Sequence, residues 1–217
     1  MPSLPATLLH EPAWHDAPER PGFARSEVHL WRANLDQPHL RVLATETLSF
    51  RDAVLAAQQV EPREREREFA MTAFARAVLS RYLGASPAGL RLRRDAHGRY
   101  SIALCTLSVA AARAENLALL AIAPSGEIHL EIEAVCENLP HDEIAGLFFE
   151  PRAQWEVRIA RSPAQKASTF FDAWLRAEAA LKTRGDAHVH RFCPAENFAA
   201  ALVANGANPC FSFWHWR

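Results

Sequence analysis

Glycine-rich loops, paired cysteines, a basic excess and a long apolar run are all missing from this chain, and each absence removes a class of function. Eight glycines in 217 residues leave no loop of the kind that cradles a phosphate. Neither a dinucleotide fingerprint, a nucleophile elbow nor an HExxH zinc motif occurs. The four cysteines, Cys105, Cys136, Cys193 and Cys210, stand far apart with no CxxC pair, so they read as ordinary reduced thiols of a cytosolic protein. Lysine and arginine number 24 against 25 acidic residues, for a formal net charge of −1, and nothing in that balance marks nucleic acid as the partner. The opening Met-Pro-Ser-Leu-Pro-Ala-Thr has neither a basic start nor an apolar signal core. The most apolar stretch, Ala103 to Ala123, is interrupted by Arg113, Glu115 and Asn116, which is too polar for a membrane span. A cytoplasmic protein with no nucleic-acid or membrane partner is expected.

What is present suits one large domain or two small packed halves. Residues 1–25 are rich in proline and lack periodicity, and read as an irregular arm. Val28 to Leu35 alternates as a half-buried strand does, and a helical stretch follows Leu48-Ser49 as far as Gln59. The charged run Glu61 to Glu68 reads as a solvated helix start. It leads into Phe69, Ala70, Ala73, Phe74, Ala77, Val78 and Tyr82 at helical spacing, with Gly84 as the stop. A strand and turn are expected over Leu90 to Arg99, and a buried strand over Leu117 to Ile122. Beyond the turn Pro124-Ser-Gly126 come a strand, a helix near 141–149 and a long helix from about Pro163, with Ser162 as cap and Gln165 reaching back. A strand near 188–192, a helical Ala195 to Ala204 and a final alternating strand near 211–216 complete the reading. The mixed order predicts an α+β fold of two similar α/β lobes, 26–125 and 126–217.

Two acidic elements stand out in the second half. Along the strand Glu127-Ile-His-Leu-Glu-Ile-Glu-Ala-Val135, the period of two puts Ile128, Leu130 and Ile132 on the core face, and His129, Glu131 and Glu133 together on the other. Along the helix Phe171-Asp-Ala-Trp-Leu-Arg-Ala-Glu-Ala-Ala-Leu-Lys182, closed by Gly185, Glu178 lies one turn after Trp174, at the edge of the apolar stripe. A carboxylate there needs a partner. Lys182, four residues on, is one candidate. A divalent cation shared with Glu131 and Glu133 is the other, since magnesium takes a few carboxylates plus waters and phosphate oxygens.

Strand and helix together resemble the 4′-phosphopantetheinyl transferase superfamily, of the larger pseudo-dimeric type that activates peptide and polyketide synthases. His129-Leu-Glu-Ile-Glu133 is similar to its G-[IV]-D-[IV]-E strand, and Trp174-Leu-Arg-Ala-Glu178-Ala-Ala-Leu-Lys182-Thr-Arg-Gly185 to its W-x-x-K-E-[AS]-x-x-K-x-x-G helix. Val28-His-Leu-Trp31, Leu79-Ser-Arg-Tyr-Leu-Gly84, His97-Gly-Arg-Tyr100, Leu107-Ser108 and Phe198 to Val203 resemble further family segments in the family's order. The resemblance implies transfer of the phosphopantetheine arm of coenzyme A to a serine of an apo acyl or peptidyl carrier protein, with Mg2+ and loss of 3′,5′-ADP, by a protein sufficient as a monomer. It implies Glu131, Glu133 and Glu178 as metal ligands. Glu178 and Lys182 would be the catalytic pair, and Arg67, Arg99 and Ser108 the contacts to the nucleotide end.

The chain also departs from the pattern. Glu131 replaces Asp, His129 replaces Gly, Ala177 replaces Lys, Val109 replaces the histidine of an L-S-H-S segment, and Tyr100 replaces the proline of a G-K-P turn. Two readings follow. A diverged transferase would use Arg113, Arg176 or His129 as substitutes. A non-catalytic scaffold on the same fold would have its groove filled, with His129 and Tyr100 as plugs. The pair His188 and His190, alternating around Val189 before Cys193, reads as a plain strand rather than a zinc site.

Overall fold

The computed structural model describes residues 9–24, 26–95, 97–103, 105–182, 187–205 and 209–216. The N-terminal half of the chain supplies β1 (His15–Asp16), β2 (Glu27–Asn34), α1 (Pro38–Thr47), α2 (Phe50–Ala56), α3 (Pro62–Leu83), β3 (Leu92–Arg94), β4 (Arg99–Ile102), β5 (Ser108–Ala114) and β6 (Leu117–Ala123). The second half supplies β7 (Ile128–Ala134), α4 (His141–Phe148), α5 (Pro151–Arg158), α6 (Pro163–Lys182), β8 (Ala187–Phe192), β9 (Phe198–Asn205) and β10 (Cys210–His215). The fold is α+β. The expected helix stop at Gly185, and Ala96 of the expected turn, lie outside the described residues.

Two sheets pack face to face between two layers of helices. The larger has the strand order β1-β10-β2-β6-β5-β4-β3, and the smaller β7-β9-β8. Hydrophobic alternation decides which side chain enters which layer. In β6, Leu117, Leu119, Ala121 and Ala123 enter the core between the sheets, and Ala118, Leu120 and Ile122 enter the core under α3. Both faces of β6 are covered, so its sequence is an uninterrupted apolar run. β10 comes from the end of the chain yet runs parallel to β2 inside the larger sheet, with Phe213 opposite Leu30 and Trp214 opposite Trp31. Its Phe211 and Phe213 pack between the sheets, and Trp214 and Trp216 pack on the α3 side. The arm is irregular over its described residues apart from the two-residue strand β1, which pairs with β10.

The helix ends follow their capping residues. Gly84 closes α3 at φ 62°, a left-handed conformation that glycine adopts without strain. The Ser162 hydroxyl accepts the amide of Gln165, and the Gln165 side chain accepts the amide of Arg161. Helices α1 and α5 are additions to the sequence reading, and the helix after Ser49 stops at Ala56 rather than Gln59.

One element is a correction. The alanine-rich segment expected to be helical over Ala195 to Ala204 is β9, the central strand of the smaller sheet, paired antiparallel to both β7 and β8. Alanine's helix preference is a fraction of a kcal/mol per residue, and pairing on both edges with burial on both faces outweighs it. Ala200, Leu202 and Ala204 fill the core between the sheets, and Ala199 and Ala201 lie under the helices with Phe170, Phe171 and Leu175 of α6. The small side chains let α6 sit close to the strand. Substituting Ala201→Leu should push α6 outward and cost about 1–3 kcal/mol of unfolding free energy, measured as a lower urea midpoint. An unchanged midpoint would count against this packing account.

Candidate active site

The core decides the direction of the β7 acids. Ile128, Leu130 and Ile132 are buried between the sheets, so His129, Glu131 and Glu133 project from the opposite face, each partly buried. Ala201 and Ala199 stand opposite Glu131 and Glu133 in the β9 register. Because α6 packs on β9, its last turns reach the edge strand β7. There the Lys182 ammonium donates to Glu131 Oε1 and lies 3.7 Å from Glu178 Oε2, one helical turn back. One cation thus holds a strand carboxylate and a helix carboxylate together. The Glu133 carboxyl is pushed above the usual carboxylate range by burial first, then by the charges of Glu131 and Glu178, with Lys182 opposing.

Three carboxylates against one ammonium leave an excess of negative charge. An all-oxygen donor set of that charge suits a hard divalent cation such as magnesium. As the side chains stand, no group of three His, Cys, Asp or Glu among the described residues could hold a metal ion. The ammonium of Lys182 takes the place between Glu131 and Glu178.

A cleft of about 680 Å³ opens beside the start of β7, lined among others by Arg93, Arg94, Arg99, Ser101, Ser108 and Glu127. The turn into β4 needs a glycine. Gly98 has φ 76°, and a Cβ there would meet the Ala111 carbonyl oxygen at 2.2 Å. Asp95 accepts the amides of His97 and Arg99, both at 2.9 Å, and the Arg99 Nε at 2.8 Å. The pinned Arg99 then donates to Glu127 Oε1 at 2.9 Å, and Glu127 lies 3.2 Å from His129 Nε2. The Ser108 hydroxyl donates to the Gly126 carbonyl and ties the two sheets at the same point. A row of polar side chains therefore runs from the cleft through Glu127 and His129 to Glu131 and Lys182.

The structure places Arg99 and Ser108 in this cleft, but not Arg67. The Arg67 guanidinium bonds Asp36 at 3.0 and 3.1 Å and Glu64 at 2.9 Å, and it is almost fully buried. Two of the three residues considered as substitute cations are likewise committed. Arg113 bonds Glu64 at 2.7 Å, and Arg176 bonds Glu156 at 2.7 Å. The start of α3 is thus less solvated than expected, because Glu64 and Glu68 cross-link it to Arg113 of β5 and Arg94 of β3. Tyr100 borders the cleft without filling it. It is buried on the α3 side with Val109, its hydroxyl unpartnered among the described residues and pushed up to about 12 by burial. His190 stacks on Phe211 at 4.4 Å as a strand side chain. Sequence reasoning missed Arg93, Asp95 and Glu127. A turn-and-strand pattern was visible there, but the sheet-to-sheet contact that brings Glu127 to Arg99 was not.

No family model matches the chain. Over 179 residues, 80% of this chain and 75% of the relative, the sequence is 31% identical to the 4′-phosphopantetheinyl transferase HetI of Nostoc sp. (strain PCC 7120 / SAG 25.82 / UTEX 2576). The chain belongs to the 4′-phosphopantetheinyl transferase family.

A structural role for Arg67 has a pH signature. Its hydrogen bonds, with help from Arg63 and against partial burial, hold the Asp36 carboxyl down at about 2 from an ordinary 3.8. The stability this contributes is complete above an unfolded pKa of 3.8 and is lost as pH falls from there through about 2. With allowance for solvent screening of a partly exposed group it amounts to about 1 kcal/mol. Asp36→Asn should lower the urea midpoint at pH 7 and flatten that part of the acid limb. An unaltered acid limb would argue against the pairing.

Proposed function

We propose that this protein transfers the 4′-phosphopantetheine arm of coenzyme A to a serine hydroxyl of an apo acyl or peptidyl carrier protein, with magnesium as the metal. The observation that carries this reading is the meeting of Glu131 and Glu178 at Lys182, with Glu133 close enough to feel all three charges, next to an arginine-lined cleft. Residues 26–125 and 126–217 would be the two lobes of a pseudo-dimeric chain, with β10 returned to the sheet of the first, and a monomer would suffice.

Glu131, Glu133 and Glu178 would hold the metal, which when bound neutralises pyrophosphate charge as the leaving group departs. The chain's own groups do the rest by position. Glu178 takes the serine proton, directly or through one water. The serine oxygen bonds to the phosphorus on the pantetheine side. The bond from that phosphorus to the bridging oxygen breaks, and its electron pair leaves with 3′,5′-ADP. Lys182, once released from Glu131, steadies the phosphate oxygens. Arg99 and Ser108 face the nucleotide end.

Intact mass spectrometry of an apo carrier protein incubated with this protein, coenzyme A and magnesium tests the reading. The carrier should gain one phosphopantetheine. Glu178→Gln should slow the gain by about 100-fold or more, the scale on which a misplaced or missing catalytic group acts, and chelation of the metal should stop it. If carriers of both classes stay apo, the non-catalytic reading takes its place.

A further inference from the structure

The proposed substrate carries two kinds of phosphate: a pyrophosphate where the chemistry happens and a monoester on the 3′ position of the ribose. Lys182 and the carboxylates account for the first. We propose that Arg93 is the residue that recognises the second. This rests on the transferase reading.

Three arginines line the cleft: Arg93, Arg94 and Arg99. Two are held by the protein's own acids. Arg94 bonds Glu68 at 3.0 Å and lies over the Tyr100 ring, and Arg99 is fixed between Asp95 and Glu127 at 2.8 and 2.9 Å. Arg93 is exposed and makes no ion pair among the described residues. The register explains the difference. Arg94 pairs with Tyr100 across the β3–β4 ladder and shares its face, toward α3, while Arg93 pairs with Ser101 and faces the opposite way. Continuing the β4–β5 register, in which Arg99 faces Ala110, brings Ser108 onto the same face. Arg93, Ser101, Arg99 and Ser108 thus share one side of the sheet, two guanidinium groups with two hydroxyls between them.

The order of strands sets the distance from the chemistry. β7 packs on β5, β4 follows, and β3 is the edge of the sheet. Arg99 reaches Glu127 at the start of β7, so Arg93 lies one strand further from Glu131 and Lys182. A ligand with its pyrophosphate at the carboxylates would bring its nucleotide end to Arg93. The planar fork of a guanidinium matches a phosphate dianion through two parallel hydrogen bonds. Such a contact discriminates against a ligand lacking the phosphate, because the two carboxylates of the cleft, Asp95 and Glu127, bond Arg99 and leave the Arg93 fork open.

Isothermal titration of wild type, Arg93→Met and Arg93→Lys with coenzyme A and with dephospho-coenzyme A, which lacks the 3′-phosphate, tests this in the presence of magnesium. Wild type should prefer coenzyme A by about tenfold or more, the ratio expected of one charge-assisted contact. Arg93→Met should lose that preference by weakening coenzyme A while leaving dephospho-coenzyme A unchanged, and Arg93→Lys should restore part of it. Equal weakening of both ligands, or of neither, overturns the assignment and leaves the transferase reading standing. Failure of wild type to bind either ligand overturns both. Arg93 sits on an exposed edge strand, so a circular dichroism spectrum like that of wild type is expected for each variant.

Discussion

The period of two along β7, locked by the packing of one sheet on the other, is the constraint on which the site depends. Ile128, Leu130 and Ile132 fit against β5, whose facing residues are Ala110, Ala112 and Ala114. Side chains that small let the strands approach closely. Once the three aliphatic residues are committed to that seam, His129, Glu131 and Glu133 have one direction left. A slip of one residue in the β7–β9 register would place two carboxylates in the apolar core and three aliphatic side chains under α6. Burying ionised carboxylates without partners costs far more than a lost apolar contact. The acidic row is therefore fixed by hydrophobic packing on its far side and by the pairing of Glu131 with Ala201 in β9.

Cations are distributed in two ways. Most arginines near the site hold the scaffold. Arg76, almost fully buried, bonds Asp52 at 2.7 Å and the carbonyls of Pro87 and Leu90, and Arg67 and Arg113 clamp α3 to β5 and to the turn after β2. The guanidinium groups of these pairs are largely buried, and a buried guanidinium cannot leave its carboxylate without stranding a charge. They are poor candidates for a ligand that must come and go. Arg93 differs, since it is exposed and makes no ion pair among the described residues, while Lys182 is shared between two carboxylates rather than held by one. The groups available to a substrate are those the fold can release at little cost.

Much of this was legible in the chain. The alternation of Ile128 to Glu133 announced its two faces, Gly84 and Ser162 marked helix ends, and the spacing of Glu178 and Lys182 placed both on one side of α6. The failures have specific causes. Ala199 to Ala204 carries a helix-forming composition, and only the pairing of β7 and β8 on either edge makes it a strand. Arg67 occupies a family-like position, yet Asp36, 31 residues away in sequence, claims it. Tyr100 looked bulky enough to fill a groove, but one step of strand alternation turns it toward α3. Each failure involves a contact between residues distant in sequence, which local pattern does not contain.

The same geometry bears on whether the site serves chemistry or only a fold. A chain under selection for stability alone gains by replacing one of three mutually repelling carboxylates, because Glu133 is half-buried beside Glu131 and Glu178 with one ammonium between them. Retaining all three is a local cost of the kind that functional sites carry. The cleft argues in the same direction. Its two bulky departures from the family pattern leave it open, since Tyr100 borders it while packing into the α3 core, and His129 lies against Glu127. A filled groove would remove the need for exposed arginines on its wall, yet Arg93 remains there beside Ser101. A half-buried, under-neutralised carboxylate cluster is unfavourable for a mere scaffold, and an open cleft is nothing a scaffold requires. Together they favour the catalytic reading over the non-catalytic one.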